Sequence, residues 1–180
     1  MICWSEIRVL ESSRLTLRKV KREDTDAYYH NLGSSEAVTR YMLFDPHTDI
    51  SESVASIEKV LRRYDEGRCY RWAVTEKEKK ELIGIVELLR FDESDNSCSF
   101  AYMLAEKCWG KGYGTEILET VFGFAFREMN IKTIRADHMA DNPASGRCME
   151  KAGMVKIGLE TGKYIKHGIS HDAVIYEIIR

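Results

Sequence analysis

Proline is scarce in this chain of 180 residues, with only Pro46 and Pro143. No proline-rich tract, low-complexity segment, internal repeat or linker interrupts it. Long apolar runs are missing too. The longest of note, Val121 to Phe126, falls far short of the roughly 18 residues of a membrane span, so a membrane partner is not expected. The opening residues MICWSEIRVLE lack the basic start and apolar stretch of a secretory signal. No CxxC pair occurs among Cys3, Cys69, Cys98, Cys108 and Cys148, which removes the usual zinc and thioredoxin signals. Five widely spaced thiols read as buried, reduced cysteines of a cytoplasmic protein. Charge of one sign is not in excess: 27 Lys and Arg face 29 Asp and Glu, for a net charge of -2. That balance argues against nucleic acid as a bulk partner.

What remains is 44% hydrophobic and 31% charged, the composition of a globular chain. Its length predicts a single domain over residues 1–180. Residues 14–20 alternate and read as a strand, followed by a helix from Asp24 to about Leu32 and a short helical segment at 37–44. Ser51 to Gly67 has helical spacing. Cys69–Thr75, Leu82–Phe91 and Ser97–Leu104 read as three strands, with the charged runs 76–81 and 92–96 as solvated turns. A helix over Thr115–Met129, a strand over Thr133–Met139 and a helix over Asp141–Ala152 closed by Gly153 follow. Val155–Thr161 and Ala173–Ile179 read as a closing antiparallel pair joined by a long polar connection. This order predicts an α/β (α+β mixed) domain, a mixed central sheet with helices on both faces.

The glycine-rich stretch WGKGYG at 109–114 follows a strand and opens a helix. Glycines there let a ligand approach the backbone closely. A helix start offers unpaired N–H groups and partial positive charge, which together suit a pyrophosphate. Lys111 would add a formal charge. Gly112 follows Lys111, so the stretch fails the GxxxxGK[ST] phosphate loop. Its GxGxG spacing, after antiparallel-looking strands, also fits a dinucleotide fingerprint poorly. A dinucleotide-binding oxidoreductase is therefore the weaker reading.

WGKGYGTE and the downstream NPAS with EKAG, in that order, resemble the GNAT superfamily of N-acetyltransferases. Within it, the chain is most similar to the Rim-type ribosomal-protein N-terminal acetyltransferases and to polyamine acetyltransferases. The similarity runs from SSRLTLRKVKREDTDAYYHNL at 12–32, through ELIGIVELLRF and SFAYMLAEKCWGKGYGTEIL, to ADNPASGRCMEKAGMVKIG and the hairpin around His171–Tyr176. It implies the GNAT acyl-CoA N-acyltransferase fold and acetyl-CoA as co-substrate, with no metal. It also implies direct transfer of acetyl to a primary amine, either a protein N-terminus or a small amine or polyamine. A homodimer is among the assemblies it admits.

Residue by residue, the resemblance places the pantetheine arm along Tyr102, Met103 and Leu104, with a strand N–H at or beside Leu104 facing the thioester oxygen. The pyrophosphate would lie on Trp109, Gly110, Lys111, Gly112, Tyr113, Gly114 and Thr115. Asn142 and Ser145 would face the cofactor, with Ser145 near the leaving sulfur. From the sequence alone, Asn142 also suits a helix cap and Pro143 a first helical position. Many relatives carry a tyrosine one turn after Ser145, where this chain has Met149. For the base that takes the amine proton, Glu87 comes first and Tyr164 second. Tyr28, Tyr29, Tyr41 and Phe44 fall in the segment that lines the acceptor cleft in the family. Asp24, Asp26, Glu36, Asp45 and Asp49 supply carboxylates for a polyamine. His167 and His171 are four apart, but Gly168 between them disfavours a helical metal pair. The missing tyrosine and the unassigned base leave a rival from another class, a non-catalytic acyl-CoA sensor or interaction module of the same fold.

Overall fold

The computed structural model describes residues 1–4, 6–67 and 69–180. Its centre is a mixed sheet of eight strands: β1 (Leu10–Glu11), β2 (Leu15–Lys19), β3 (Tyr70–Glu76), β4 (Leu82–Asp92), β5 (Ser97–Leu104), β6 (Thr133–Met139), β7 (Val155–Lys166) and β8 (Ile169–Ile179). They lie in the order β1-β2-β3-β4-β5-β6-β8-β7. The pairs are antiparallel except β5 with β6, which run parallel. This single parallel pair rules out a doubly wound dinucleotide fold, whose sheet is mostly parallel.

Strand residues alternate between faces, and that alternation assigns the helices. Trp72 and Phe100 pack edge-on against Phe124 and Phe122 of the helix α4 (Tyr113–Arg127). Glu87, of opposite parity to Val86 and Leu88, meets Arg63 of the helix α3 (Ile50–Asp65) across the other face. On the first face, α4 buries Ile117, Leu118, Val121, Phe122 and Phe124. Each such side chain is worth about 1.5–3 kcal/mol of burial. Trp72, fully buried, also donates its indole N–H to the Arg8 carbonyl, which satisfies its polar atom.

Local chemistry sets the ends of these helices. Asp49 caps α3 by accepting from the Ser51 N–H, and Glu52 returns the favour to the Asp49 backbone. Gly67, at φ 73, follows its end. Asn142 caps α5 (Pro143–Lys151), with Pro143 in the first turn, and Gly153 at φ 91 stops it. Pro46 lies in the loop before α3.

The early helical region is more broken than its periodicity suggests. A 3-10 turn at Arg22–Asp24 leads into α1 (Thr25–Tyr28) and a π turn at Tyr29–Gly33. The segment expected at 37–44 contributes only α2 (Glu36–Thr39). The largest correction falls at the C-terminal end. The expected polar connection is strand, and β7 and β8 meet at the tight turn His167–Gly168. Both turn residues have positive φ, 51 and 75, as a type I′ hairpin turn requires. β7 is exposed along most of its length, so it lacks the apolar alternation that marks a half-buried strand. The cysteines also divide: Cys69, Cys98 and Cys108 are buried and free, Cys148 is half-buried, and Cys3 is exposed, contrary to expectation.

Candidate active site

The parallel ladder between β5 and β6 is short. It joins Ser97, Cys98 and Ser99 to Thr133, Ile134 and Arg135, although β5 continues to Leu104 and β6 to Met139. Beyond Ser99 the two strands part, and the opening continues into a cleft of about 650 Å³. Such a volume is in the range of small-molecule and cofactor sites.

The register of β5 shows what the strand offers to this opening. The Ala105 N–H donates to the Ile83 carbonyl at 2.7 Å, while Gly84 faces Leu104 and Val86 faces Tyr102. In an antiparallel ladder this makes Gly84–Leu104 and Val86–Tyr102 the non-bonded pairs. The backbone groups of Tyr102 and Leu104 therefore turn away from β4, toward the side where β6 has departed. There an extended ligand can pair with them as an added strand would. The Leu104 carbonyl accepts the Trp109 indole N–H at 2.7 Å, which ties the glycine loop to the end of the strand.

The loop then delivers its donors. Gly110 and Gly112 take φ 74 and 79, which glycine adopts without penalty. Gly112 is the N-cap of α4 and has no side chain to cap it. The Glu116 N–H reaches back to the Gly112 carbonyl, so the N–H groups of Tyr113, Gly114 and Thr115 precede the helical ladder. Gly114 serves a different purpose. A Cβ there would lie 3.0 Å from Cys148 Sγ and 3.8 Å from the Tyr102 ring, so its absence lets α4 and α5 close on each other.

A buttress fixes the loop from outside. The Arg14 guanidinium stacks over the Tyr113 ring at 4.4 Å and donates to the Lys111 carbonyl at 2.9 Å. It also bonds Glu116, which accepts from Ser12 Oγ at 2.6 Å and from the Arg14 backbone N–H at 2.8 Å. Burial opposes ionisation of Glu116, but these donors together hold its carboxyl down at about 2.

On the facing wall, the Asn142 Oδ1 accepts from the Ser145 N–H at 3.4 Å. The Ser145 hydroxyl lies 3.4 Å from the phenol oxygen of Tyr102. Arg147, Cys148 and Lys151 complete this wall, and Ala37, Val38, Arg40, Tyr41 and Met42 form the opposite rim.

The cofactor residues expected from the sequence thus converge. Tyr102, Met103, Leu104, Trp109, Gly110, Gly112, Tyr113, Gly114, Thr115, Asn142 and Ser145 all line the one cleft. Lys111 does not line it and contributes its carbonyl to Arg14 instead. Glu87 and Tyr164 also stand outside the lining. Glu87 is held between Arg63, at 2.6 Å, and Arg71, at 3.3 Å. Tyr164 donates to Asp137, and burial together with that bond pushes its phenol up to about 12. Such a group is a poor proton acceptor near neutrality. Of the four early aromatics, Tyr41 lines the cleft. Tyr28 is buried in the core, Tyr29 bonds the Thr48 carbonyl and Phe44 packs on His47.

The carboxylates expected to greet a polyamine are elsewhere. Asp24 pairs with Arg18 at 2.7 Å, Asp45 with His167 at 2.6 Å, and Asp49 caps α3. His171 of β8 faces Asp141, in the turn that follows β6. Among the described residues, no group of three or more His, Cys, Asp or Glu is placed to hold a metal, and no helix is long and apolar enough to cross a membrane.

A family profile described as an acetyltransferase (GNAT) domain matches residues 14–155, which include the β5 strand, the glycine loop and the Asn142–Ser145 helix start. The chain belongs to the GNAT acetyltransferases. It is an acetyl-CoA-dependent N-acetyltransferase by that membership. Among GNAT relatives, the spermidine N(1)-acetyltransferase of Vibrio cholerae is 26% identical over 89% of this chain and 90% of its own. The [ribosomal protein uS5]-alanine N-acetyltransferase of Escherichia coli is 25% identical over 92% of this chain and 88% of its own. A GNAT-family acetyltransferase structure from Bacillus anthracis superposes with a TM-score of 0.84, at 21% identity, covering 95% of this chain and 98% of that one.

Sequence reasoning missed three features of this GNAT site. Arg147 and Lys151 sit four apart on α5, a spacing that puts both on one helix face, and this was a readable signal. Around the expected Tyr41, the rim residues Arg40 and Met42 gave none, because they follow a single turn of helix. The Arg14–Glu116 buttress links residues 102 apart and is visible only in the fold.

Proposed function

We propose that this acetyltransferase carries acetyl from acetyl-CoA to the α-amine of a protein N-terminus, acting as a single domain over residues 1–180 in the cytoplasm. The observation that carries the choice of acceptor is the charge of the cleft lining. It holds Arg40, Arg147 and Lys151 against one acid, Glu106. Cations there suit the phosphates of acetyl-CoA, and the lining leaves a polyamine only Glu106 as a counter-charge. The five acids that would have served a polyamine are not among the lining residues.

The pyrophosphate rests on the N–H groups of the glycine loop and the first turn of α4. The pantetheine arm pairs with the outward backbone groups of Tyr102 and Leu104. The Leu104 N–H then faces the thioester oxygen and stabilises the charge that develops on it. The amine attacks the carbonyl carbon directly, the C–S bond breaks, and its electron pair leaves on sulfur beside Ser145. Ser145 stabilises that thiolate by hydrogen bonding. A protein α-amine titrates at about 7.7–8.0, so an appreciable fraction is neutral at physiological pH. Water accepts the proton released by the new amide. Glu87 and Tyr164 therefore need no contact with the reacting nitrogen, and Glu87 acts as the ionic partner of Arg63 and Arg71.

The test is acetyl-CoA turnover on a peptide with a free N-terminal alanine, on the same peptide with a blocked amine, and on spermidine. Acetylation of the free peptide alone is expected. Spermidine turnover exceeding that of the peptide would overturn the acceptor assignment.

A further inference from the structure

The side chain of Tyr102 has a place in the chemistry that its backbone role does not explain. Its ring leaves β5 on the face covered by α4 and α5 and is wedged between them. The missing Cβ of Gly114 leaves room on one side, and Cys148 lies close on the other. The phenol reaches the cleft and stands 3.4 Å from Ser145 Oγ. Burial holds the phenol protonated, well above its ordinary range. Met149, fully buried, offers no donor from α5.

A serine hydroxyl has one proton to give and two lone pairs that accept. Left alone, its proton rotates among whatever acceptors are near. We propose that Tyr102 is a positioning residue for acetyl transfer: its phenol donates to Ser145 Oγ and so turns the Ser145 proton toward the sulfur of the leaving CoA thiolate. This rests on the reading that acetyl-CoA lies in the cleft with its sulfur beside Ser145. No net proton transfer passes through the pair. The C–S electron pair stays on sulfur as it departs, the phenol and serine keep their protons, and the thiolate is later protonated by water. Hydrogen bonds to an ionised acceptor are shorter and stronger than neutral ones, and a donor fixed in advance costs no reorganisation when the charge forms.

The experiment compares CoA with desulfo-CoA, which lacks the sulfur, and therefore needs no acceptor. Calorimetric titrations at pH 7 and pH 9 give the preference for CoA in the wild type, Tyr102→Phe, Ser145→Ala and the double variant. The wild type is expected to prefer CoA more strongly at pH 9, where more of the thiol is ionised. Tyr102→Phe should reduce that preference about fivefold to tenfold, less than the 10²–10³ lost when a direct donor to a reacting oxyanion is removed. Adding it to Ser145→Ala should change nothing further, and desulfo-CoA affinity should stay within twofold throughout. An unchanged preference in Tyr102→Phe, or the same loss with and without Ser145, would overturn the positioning role. Failure of the wild type to bind either ligand would instead overturn the cofactor reading beneath it.

Discussion

The two arms of the sheet part at Ser99 and Arg135, and they are built in opposite ways. On the β5 arm, backbone geometry makes the site: outward strand groups, glycines at positive φ and an uncapped helix start. On the arm formed by β6, β8 and β7, side chains provide the links. Lys166 at the hairpin tip donates to the carbonyls of Thr39 and Met42, each at 2.9 Å, and Tyr164 and Lys163 converge on Asp137. The first arm suits a ligand with the same phosphates and amides every time. The second rests on side-chain links, which can change without disturbing the backbone.

A negative charge on the backbone arm should have the largest effect. Gly112→Asp places a carboxylate where the proposed cofactor site would hold the pyrophosphate. At 4 Å and an effective dielectric of 20 the repulsion is about 4 kcal/mol, and the positive φ adds strain. Nearby Arg14 offsets part of this, its nitrogen being 3.5 Å from the new Cβ. A loss of CoA affinity on the order of 10²–10³-fold, measured by calorimetry with the thermal transition retained, is expected. Unchanged affinity would erase the contrast between the arms.

Loss of the buttress should act on stability. Glu116 falls from 4.5 in the unfolded chain to about 2 when folded, so its contribution is full above pH 5 and disappears as pH falls toward 2. With Arg14 half-exposed and the pair screened by solvent, the shift corresponds to about 1–2 kcal/mol. Glu116→Gln should lower stability at pH 7 by that order and flatten the acid limb of a denaturant-melt series. An acid limb as steep as that of the wild type would show that other carboxylates set it.

These elements also show what the sequence makes legible. WGKGYG and NPAS announce the cleft because glycine, asparagine and proline are demanded by local backbone geometry, which is written in consecutive residues. The exposure of β7 removes the periodicity that would mark its full length. The expected base residues failed to reach the cleft for a related reason. Glu87 is committed to Arg63 and Arg71, and Tyr164 to Asp137, through contacts between elements far apart in the chain.

Glu87→Gln sharpens this point. It leaves Arg63 and Arg71 facing a neutral amide, so a stability loss of about 1–3 kcal/mol is expected, with kcat changed less than threefold in the peptide assay. A hundredfold fall in kcat would restore Glu87 as the base. The smallest effect belongs to the β6–β8–β7 arm. Lys166→Met frees the carbonyls at Thr39 and Met42 beside the rim. A severalfold rise in acceptor KM, with a smaller rise in acetyl-CoA KM through the loosened Arg40, is expected from initial rates. An equal rise in both would show that the hairpin tip serves the donor as well.

The most direct test of the whole account is a crystal structure of the chain with CoA. The pyrophosphate oxygens should accept from the N–H groups between Gly110 and Thr115 at about 2.7–3.2 Å. The pantetheine should run along Tyr102 and Leu104, and the sulfur should lie beside Ser145. CoA bound with its pyrophosphate away from that loop, or its sulfur away from the parting of β5 and β6, would contradict it.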